Sequence, residues 1–303
     1  MRKPGAASVI LAYVALLLGY LAIGGPAQLR GIVSGLWITE ALAIALPAMF
    51  VLLVAGLRPG PYLGFRRLSW KGALVAVAAS AANQPVVSFL TWLSRLALPA
   101  GLVEKFDQQQ RFLTQIFAQH GAAFVLTVTI AAPLGEELFF RGFAFPALAK
   151  DWGVLAAMVV SGVLFSALHL DAVGFLGLLE IGILLAALRW WTGSLWASIL
   201  GHAVNNGIAG GAFLLGMEDP DLPPPAWVLA LGAALLVAGF FLFRRVVARP
   251  MSGAALPREG APAPALAEEQ PAPVGRAAAG GLLLVWVGAV IWGVKLLLAA
   301  RAA

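Results

Sequence analysis

The chain has 303 residues, of which 61% are hydrophobic and 11% charged, whereas soluble domains carry about 25% charged residues. This composition excludes an ordinary soluble domain and predicts hydrophobic segments that cross a membrane. The absence of cysteine from the sequence excludes disulfides, thiolate metal sites and a cysteine nucleophile. The net charge of +6 does not indicate nucleic-acid binding, because the basic residues are scattered between apolar runs.

Nine segments have enough apolar residues to be considered as membrane spans, for which about 20 residues are needed. They lie at about 6–23, 36–57, 72–98, 119–140, 153–170, 173–188, 194–216, 226–247 and 279–299. We therefore predict an all-α, polytopic bundle of about eight to nine transmembrane helices. The apolar run after Lys3 has no convincing cleavage site, so we expect it to be a retained helix rather than a signal peptide.

The distribution of basic residues predicts the orientation of these helices. Cytoplasmic loops carry an excess of Lys and Arg. With the N-terminus inside, the cytoplasmic segments contain most of these residues: Arg2, Lys3, Arg58, Arg66, Arg67, Lys71, Arg141, Lys150, Arg189, Arg244, Arg245, Arg249, Arg258 and Arg276. We predict a multi-pass protein of the cell (inner) membrane with a cytoplasmic N-terminus and an external C-terminus. Residues 250–278 are rich in proline and alanine and predict an extended linker.

Two adjacent acids, Glu136 and Glu137, end the fourth predicted span. An acid at membrane depth costs about 2.5–3.5 kcal/mol on insertion scales, so it usually has a partner or a function. Glu137 and Arg141 are four residues apart and can form an ion pair on one helix face. Glu136 is then left without a local counter-ion, which suits a general base. The alternative is that both glutamates belong to a charge cluster at the membrane surface.

Two further helices carry polar residues in apolar surroundings. Phe165 precedes His169 by one turn and should shield one side of its imidazole, although a single histidine at a helix end is often a packing residue. His202 and Asn206 are also four apart on one face, where they can ligate a metal, orient a water or donate to an oxyanion, or join two helices by hydrogen bonds. Together the three elements indicate a functional site between the fourth and seventh helices.

Three other charged residues in or near the spans have weaker signals. Glu180 lies within the sixth span. The sequence leaves three roles open for it: a gate, a proton relay, or a partner of Arg189 or of a histidine. Glu40 and Arg95 lie near helix ends, and we expect their side chains to extend to the membrane surface.

The three motifs, in this order, resemble the CPBP family (CAAX proteases and bacteriocin-processing enzymes, also called the Abi family). The family pattern EExxxR, FxxxH and HxxxN corresponds to Glu136-Glu137 with Arg141, Phe165 with His169, and His202 with Asn206. The resemblance covers residues 119–216. It implies a protease core there. Hydropathy and composition predict N-terminal transmembrane helices at 1–118, another span at 217–249, the linker at 250–278 and a C-terminal helix at 279–303.

The resemblance also implies an activity, that of an intramembrane endopeptidase related to the type II CAAX-prenyl endopeptidase. Glu136 and His169 would activate the attacking water, and His202 and Asn206 would stabilise the oxyanion. A zinc ion on Glu136, His169 and His202 is one option, and a metal-free glutamate mechanism is the other. The expected partners are the lipid bilayer and a peptide or membrane-protein substrate. A non-catalytic scaffold or immunity protein and a proton-coupled transporter are the alternatives from other classes.

The predicted helix boundaries contain one conflict. His169 lies some 16 residues into its span, about 24 Å at 1.5 Å per residue, whereas Glu136 lies close to the cytoplasmic end of its own span. The two can meet if the connector at 141–155 is helical outside the bilayer, or if the fifth helix starts at a lower level than its predicted boundary.

Overall fold

The computed structural model describes residues 3–216, 222–246 and 275–302. Within these ranges the chain consists of helices and connecting turns, without a strand, so the predicted all-α bundle is confirmed. The helices are α1 (Ala6–Arg30), α2 (Ile32–Val54), α3 (Pro59–Leu63), α4 (Trp70–Ala97), α5 (Ala100–Trp152), α6 (Val154–Leu168), α7 (Phe175–Thr192), α8 (Leu195–Leu214), α9 (Ala226–Val246) and α10 (Gly275–Ala302).

Each of the nine predicted spans overlaps one helix, and of the helices in the described ranges only the short α3 was not predicted as a span. Among the described residues, six helices are long and apolar enough to cross a membrane by length and composition: α1, α2, α4, α5, α7 and residues Ala277–Ala299 of α10. Helix α6 and the Ala226–Gly239 part of α9 are shorter apolar helices. The multi-pass character of the protein is therefore confirmed, while the side of the membrane that holds each terminus stays a prediction. Residues 250–274 of the predicted linker lie outside the described residues.

Helix α5 is the longest element and carries the acidic motif. It bends at Gly121, where φ is +43°, a left-handed value that glycine adopts without steric cost. The helix does not end at residue 140 as predicted, but continues through a π-helical turn at Leu138–Ala144 and on to Trp152. The placement of Arg141 in a cytoplasmic loop is wrong, because its side chain is fully buried within this helix. Arg189, also assigned to a loop, is buried in α7.

The turn between α5 and α6 resolves the conflict in depth between the two motifs. Gly153 forms this turn with φ +80°, and the end of α5 and helix α6 pack side by side, antiparallel, on its two sides. Glu136 precedes Gly153 by 17 residues and His169 follows it by 16. At 1.5 Å per residue both lie about 25 Å from the turn, so the helical connector brings them to the same level.

Two glycines permit a close contact between α6 and α7 beside the acidic motif. A Cβ atom on Gly182 of α7 would lie 2.7 Å from the Cα of Gly162 on α6, closer than any side chain allows. Helix α7 also packs on α8, α8 packs on α5, and α1 and α2 pack on the π-helical part of α5. The middle of α5 is consequently surrounded by α1, α2, α6, α7 and α8.

Candidate functional site

A cavity of about 240 Å³ lies beside the middle of α5. All four residues that the sequence proposed as catalytic line it, although they come from two helices, α5 and α8, and from the turn after α6: Glu136, His169, His202 and Asn206. Glu136 and His202 are buried, Asn206 is half-buried, and His169 is exposed at the C-terminal end of α6. The three motifs therefore converge on one space.

Glu137 and Arg141 form the ion pair that their spacing predicted. Arg141 Nη1 donates to Glu137 Oε1 at 2.6 Å, and both side chains have 0% exposure. Arg141 Nη2 also donates to the carbonyl oxygen of Gly182 at 2.9 Å. The guanidinium lies over the ring of Phe165, 4.5 Å from its centroid. Arg141 thus connects α5, α6 and α7 and does not face the cavity.

Glu137 has a second partner that the sequence did not indicate. Its Oε1 lies 2.9 Å from Nδ1 of His202. Because an ionised carboxylate only accepts hydrogen bonds, Nδ1 of His202 carries the proton and donates it. This bond fixes the ring orientation and leaves Nε2 of His202 facing Glu136, at 3.8 Å from its Oε2.

Glu137 is held through its Oε1 by Arg141 and His202. The buried Oε2 of Glu136, like that of Glu137, has no hydrogen-bond partner among the described residues. The distance of 3.8 Å to His202 is too long for a hydrogen bond. Since Arg141 is committed to Glu137, the carboxyl group of Glu136 is available to a molecule in the cavity, as the spacing of the motif predicted.

His169 directly follows the last residue of α6, and a backbone carbonyl of that helix orients its imidazole ring. Its Nδ1 lies 2.9 Å from the carbonyl oxygen of Phe165, and because a carbonyl only accepts, Nδ1 is the donor. In the neutral ring Nε2 then keeps its lone pair. The Phe165 ring packs edge-on against His169 at 5.0 Å, as predicted, and also against His202 at 5.5 Å between ring centroids. One aromatic ring therefore holds both imidazoles.

Asn206 is held by a polar chain that reaches α4. Its Nδ2 donates to the carbonyl oxygen of Val128 at 2.9 Å, and its Oδ1 accepts from Asn205 at 3.5 Å. Asn205 in turn accepts from Gln84 Nε2 at 2.6 Å. A carboxamide nitrogen has two N–H groups, so one N–H of Asn206 is left for a ligand.

Helices α1 and α2 also line the cavity, which the sequence did not predict. Their contribution consists of Tyr20, Gln28, Leu36, Thr39, Glu40 and Ile44. The expectation that Glu40 extends to the membrane surface is wrong, since the residue is 6% exposed within a π-helical turn at Thr39–Ala45. The only feature of the sequence that indicated a role for Glu40 was the presence of an acid inside an apolar span.

Glu180 and Arg95 have partners on neighbouring elements. Asn83 of α4 donates to Glu180 Oε2 at 2.5 Å, so among the open roles of Glu180 the structure shows an inter-helix partner, although neither Arg189 nor a histidine. Arg95 pairs with Asp107 at 2.5 Å, with side-chain exposures of 14% and 30%. This bridge joins the end of α4 to the polar start of α5.

A metal ion does not fit the donor groups of this site. The resemblance implied Glu136, His169 and His202 as candidate zinc ligands, but the described part of the chain has no group of three or more His, Cys, Asp or Glu side chains placed to hold a metal. A zinc site needs three or four such ligands at about 2.0–2.3 Å.

The fold and the cavity together define a multi-pass membrane protein with a polar site enclosed among its helices. Comparison with protein families then gives a more specific assignment. Residues 118–208 match the family described as Type II CAAX prenyl endopeptidase Rce1-like. This match covers about a third of the chain and supports the CPBP family that the three motifs suggested. Neither the curated proteins nor the solved structures give a match. The matched segment contains the residues of the three motifs but not Glu40.

Proposed function

We propose that the protein is an intramembrane endopeptidase of the CAAX-protease type, which hydrolyses a peptide bond in a hydrophobic or membrane-associated peptide. The family match supports the peptidase class. The observation that carries the proposal for this chain is the convergence of Glu136, His169, His202 and Asn206 on one cavity. The order of events below follows from the hydrogen-bonding capacity of these four groups.

The attacking water is held between Glu136 and His169. Both offer acceptors, the carboxylate of Glu136 and Nε2 of His169, and a water molecule has two protons to donate to them. This leaves a lone pair of the water directed at the substrate carbonyl. As the O–C bond forms, Glu136 takes a proton from the water, which is general-base catalysis.

His202 and Asn206 stabilise the oxyanion that develops on the former carbonyl oxygen. Asn206 has one N–H that is not used within the protein. His202 can donate from Nε2 only as imidazolium, because its Nδ1 proton already binds Glu137. Preorganised donors of this kind each contribute about 100- to 1,000-fold in rate.

The tetrahedral intermediate collapses when the C–N bond breaks. Glu136 returns its proton to the leaving amine, so that the carboxylate is regenerated and the products are a carboxylic acid and an amine. Phe165 and Arg141 do not touch the reacting atoms in this scheme. They position the two imidazoles and Glu137 respectively, through the contacts described above.

Proteolysis by the purified protein tests the proposal. The wild type and the variants Glu136→Ala, His169→Ala and His202→Ala are reconstituted in lipid nanodiscs and incubated with hydrophobic peptides, and the products are identified by mass spectrometry. Glu104→Gln is the control, since Glu104 is an exposed acid on the same helix. We expect cleavage by the wild type and the control alone. Full activity in all three alanine variants, or no cleavage by the wild type, would favour a scaffold, an immunity protein or a transporter.

A further inference from the structure

Glu40 is a third carboxyl group of the cavity, outside the segment that matches the family. It lies on α2, opposite the motif residues of α5, and lines the same space as Glu136. Its side chain is 94% buried, and Oε2 has no hydrogen-bond partner within the described part of the chain. A buried charged group is costly unless it is paired. The carboxyl group of Glu40 is therefore available to a ligand in the cavity, and a cationic group of that ligand would stabilise its charged form.

The position of Glu40 depends on a glycine directly before Glu136. A Cβ atom on Gly135 would lie 2.9 Å from Cβ of Glu40 and 2.9 Å from its backbone oxygen, and would overlap its Oε2. The carboxyl group thus occupies the space that a larger residue at position 135 would fill. This contact holds Glu40 beside the backbone of the proposed catalytic base.

The cavity contains acids but no strong cation to pair with Glu40. Among the described residues that line it, none is Lys or Arg. Arg141 is bound to Glu137 and Gly182, and His202 donates to Glu137.

Two polar residues that line the cavity with Glu40 also have partners within the protein. Gln28 donates to the hydroxyl of Thr39 at 3.0 Å, and Thr39 donates to the carbonyl oxygen of Gly35 at 2.8 Å. The cavity therefore presents an acidic wall, and a cationic group of a ligand would complement it.

We infer that Glu40 is a specificity residue, which binds the positively charged side chain of a lysine or arginine next to the scissile bond. This inference rests on the proposed function for the claim that the ligand is a peptide. The cavity is smaller than the about 300–1,000 Å³ of sites for drug-sized ligands. It suits one side chain and the adjoining peptide bond rather than a larger molecule.

Binding of two matched peptides tests the inference without requiring cleavage. The probes are fluorescent decapeptides of leucine and alanine with one central residue, either lysine or Nε-acetyl-lysine, whose charge is removed by the acetyl group. Affinities are measured by anisotropy in nanodiscs for the full-length protein and for Glu40→Gln. A charge-assisted hydrogen bond corresponds to a preference for lysine of about 10-fold or more. We expect this preference in the starting protein and its loss in Glu40→Gln, with Glu104→Gln unchanged.

Equal affinity for the two peptides in the protein with Glu40 intact would overturn the inference, even if Glu40→Gln does not fold. Retention of the preference in a folded Glu40→Gln variant would overturn it as well. The outcomes also separate the two proposals. Cleavage without a lysine preference contradicts only the role of Glu40, whereas a lysine preference without cleavage contradicts only the peptidase.

Discussion

Replacing the adjacent acids one at a time by glutamine should separate stability from catalysis. Glu137 Oε1 accepts two charge-assisted hydrogen bonds, at 2.6 Å from Arg141 and 2.9 Å from His202, in a fully buried position. Such bonds contribute about 1.5–3 kcal/mol each and neutral ones about 0.5–1.5 kcal/mol. Glu137→Gln should therefore lower the free energy of unfolding by about 2–3 kcal/mol.

Glu136→Gln should have the opposite effect: stability should be nearly unchanged and catalysis should be lost. The buried Oε2 of Glu136 makes no hydrogen bond with the described residues, so we expect a change in unfolding free energy below about 1 kcal/mol. Loss of the general base should lower the rate of peptide cleavage by at least about 100-fold.

Both properties are measured on the same preparations. Unfolding in detergent is followed by circular dichroism against denaturant, and cleavage is followed by peptide fluorescence at saturating substrate. The reasoning is refuted if Glu136→Gln is destabilised as much as Glu137→Gln, or if Glu136→Gln retains wild-type activity. A double variant with Arg141→Met should recover part of the stability lost in Glu137→Gln, because the unpaired buried charge is removed.

Three further changes have outcomes that follow from the geometry. His169→Ala should lower the cleavage rate by about 100-fold or more, whereas alanine at the exposed His120 should not, and equal loss in both would contradict the assignment. Gly182→Ala should destabilise the protein by about 1–3 kcal/mol, because its Cβ would overlap Gly162. In the same denaturant unfolding assay Gly211→Ala should be neutral or stabilising, since nothing lies within 4 Å of the added Cβ. Dialysis against EDTA should leave the cleavage rate unchanged, and a loss that zinc restores would show that the donors rearrange to bind a metal.

The sequence predicted the parts of the site that depend on spacing along one helix. Glu137 and Arg141 pair because residues four apart share a face. Phe165 packs on His169 for the same reason. These contacts are set by helix geometry, so they can be predicted from the sequence without knowledge of which helices are neighbours.

The sequence did not predict contacts that depend on the arrangement of separate helices. The bond between Glu137 and His202 joins residues 65 positions apart, and the position of Glu40 depends on how α2 packs against α5. The error for Arg141 has another cause. A charged residue was expected to end the span, but Glu137 and the carbonyl of Gly182 satisfy its guanidinium and allow the helix to continue.

Cleavage in water enriched in oxygen-18 tests the central claim most directly. The claim is that Glu136 and His169 direct a water molecule onto the peptide bond without a covalent intermediate. Single-turnover reactions are quenched at intervals, and the masses of both the peptide products and the intact protein are recorded. The account predicts one oxygen-18 atom in the new carboxyl group and an unmodified protein at every time point. A protein adduct with the mass of the acyl fragment, or no cleavage by the wild type, would contradict it.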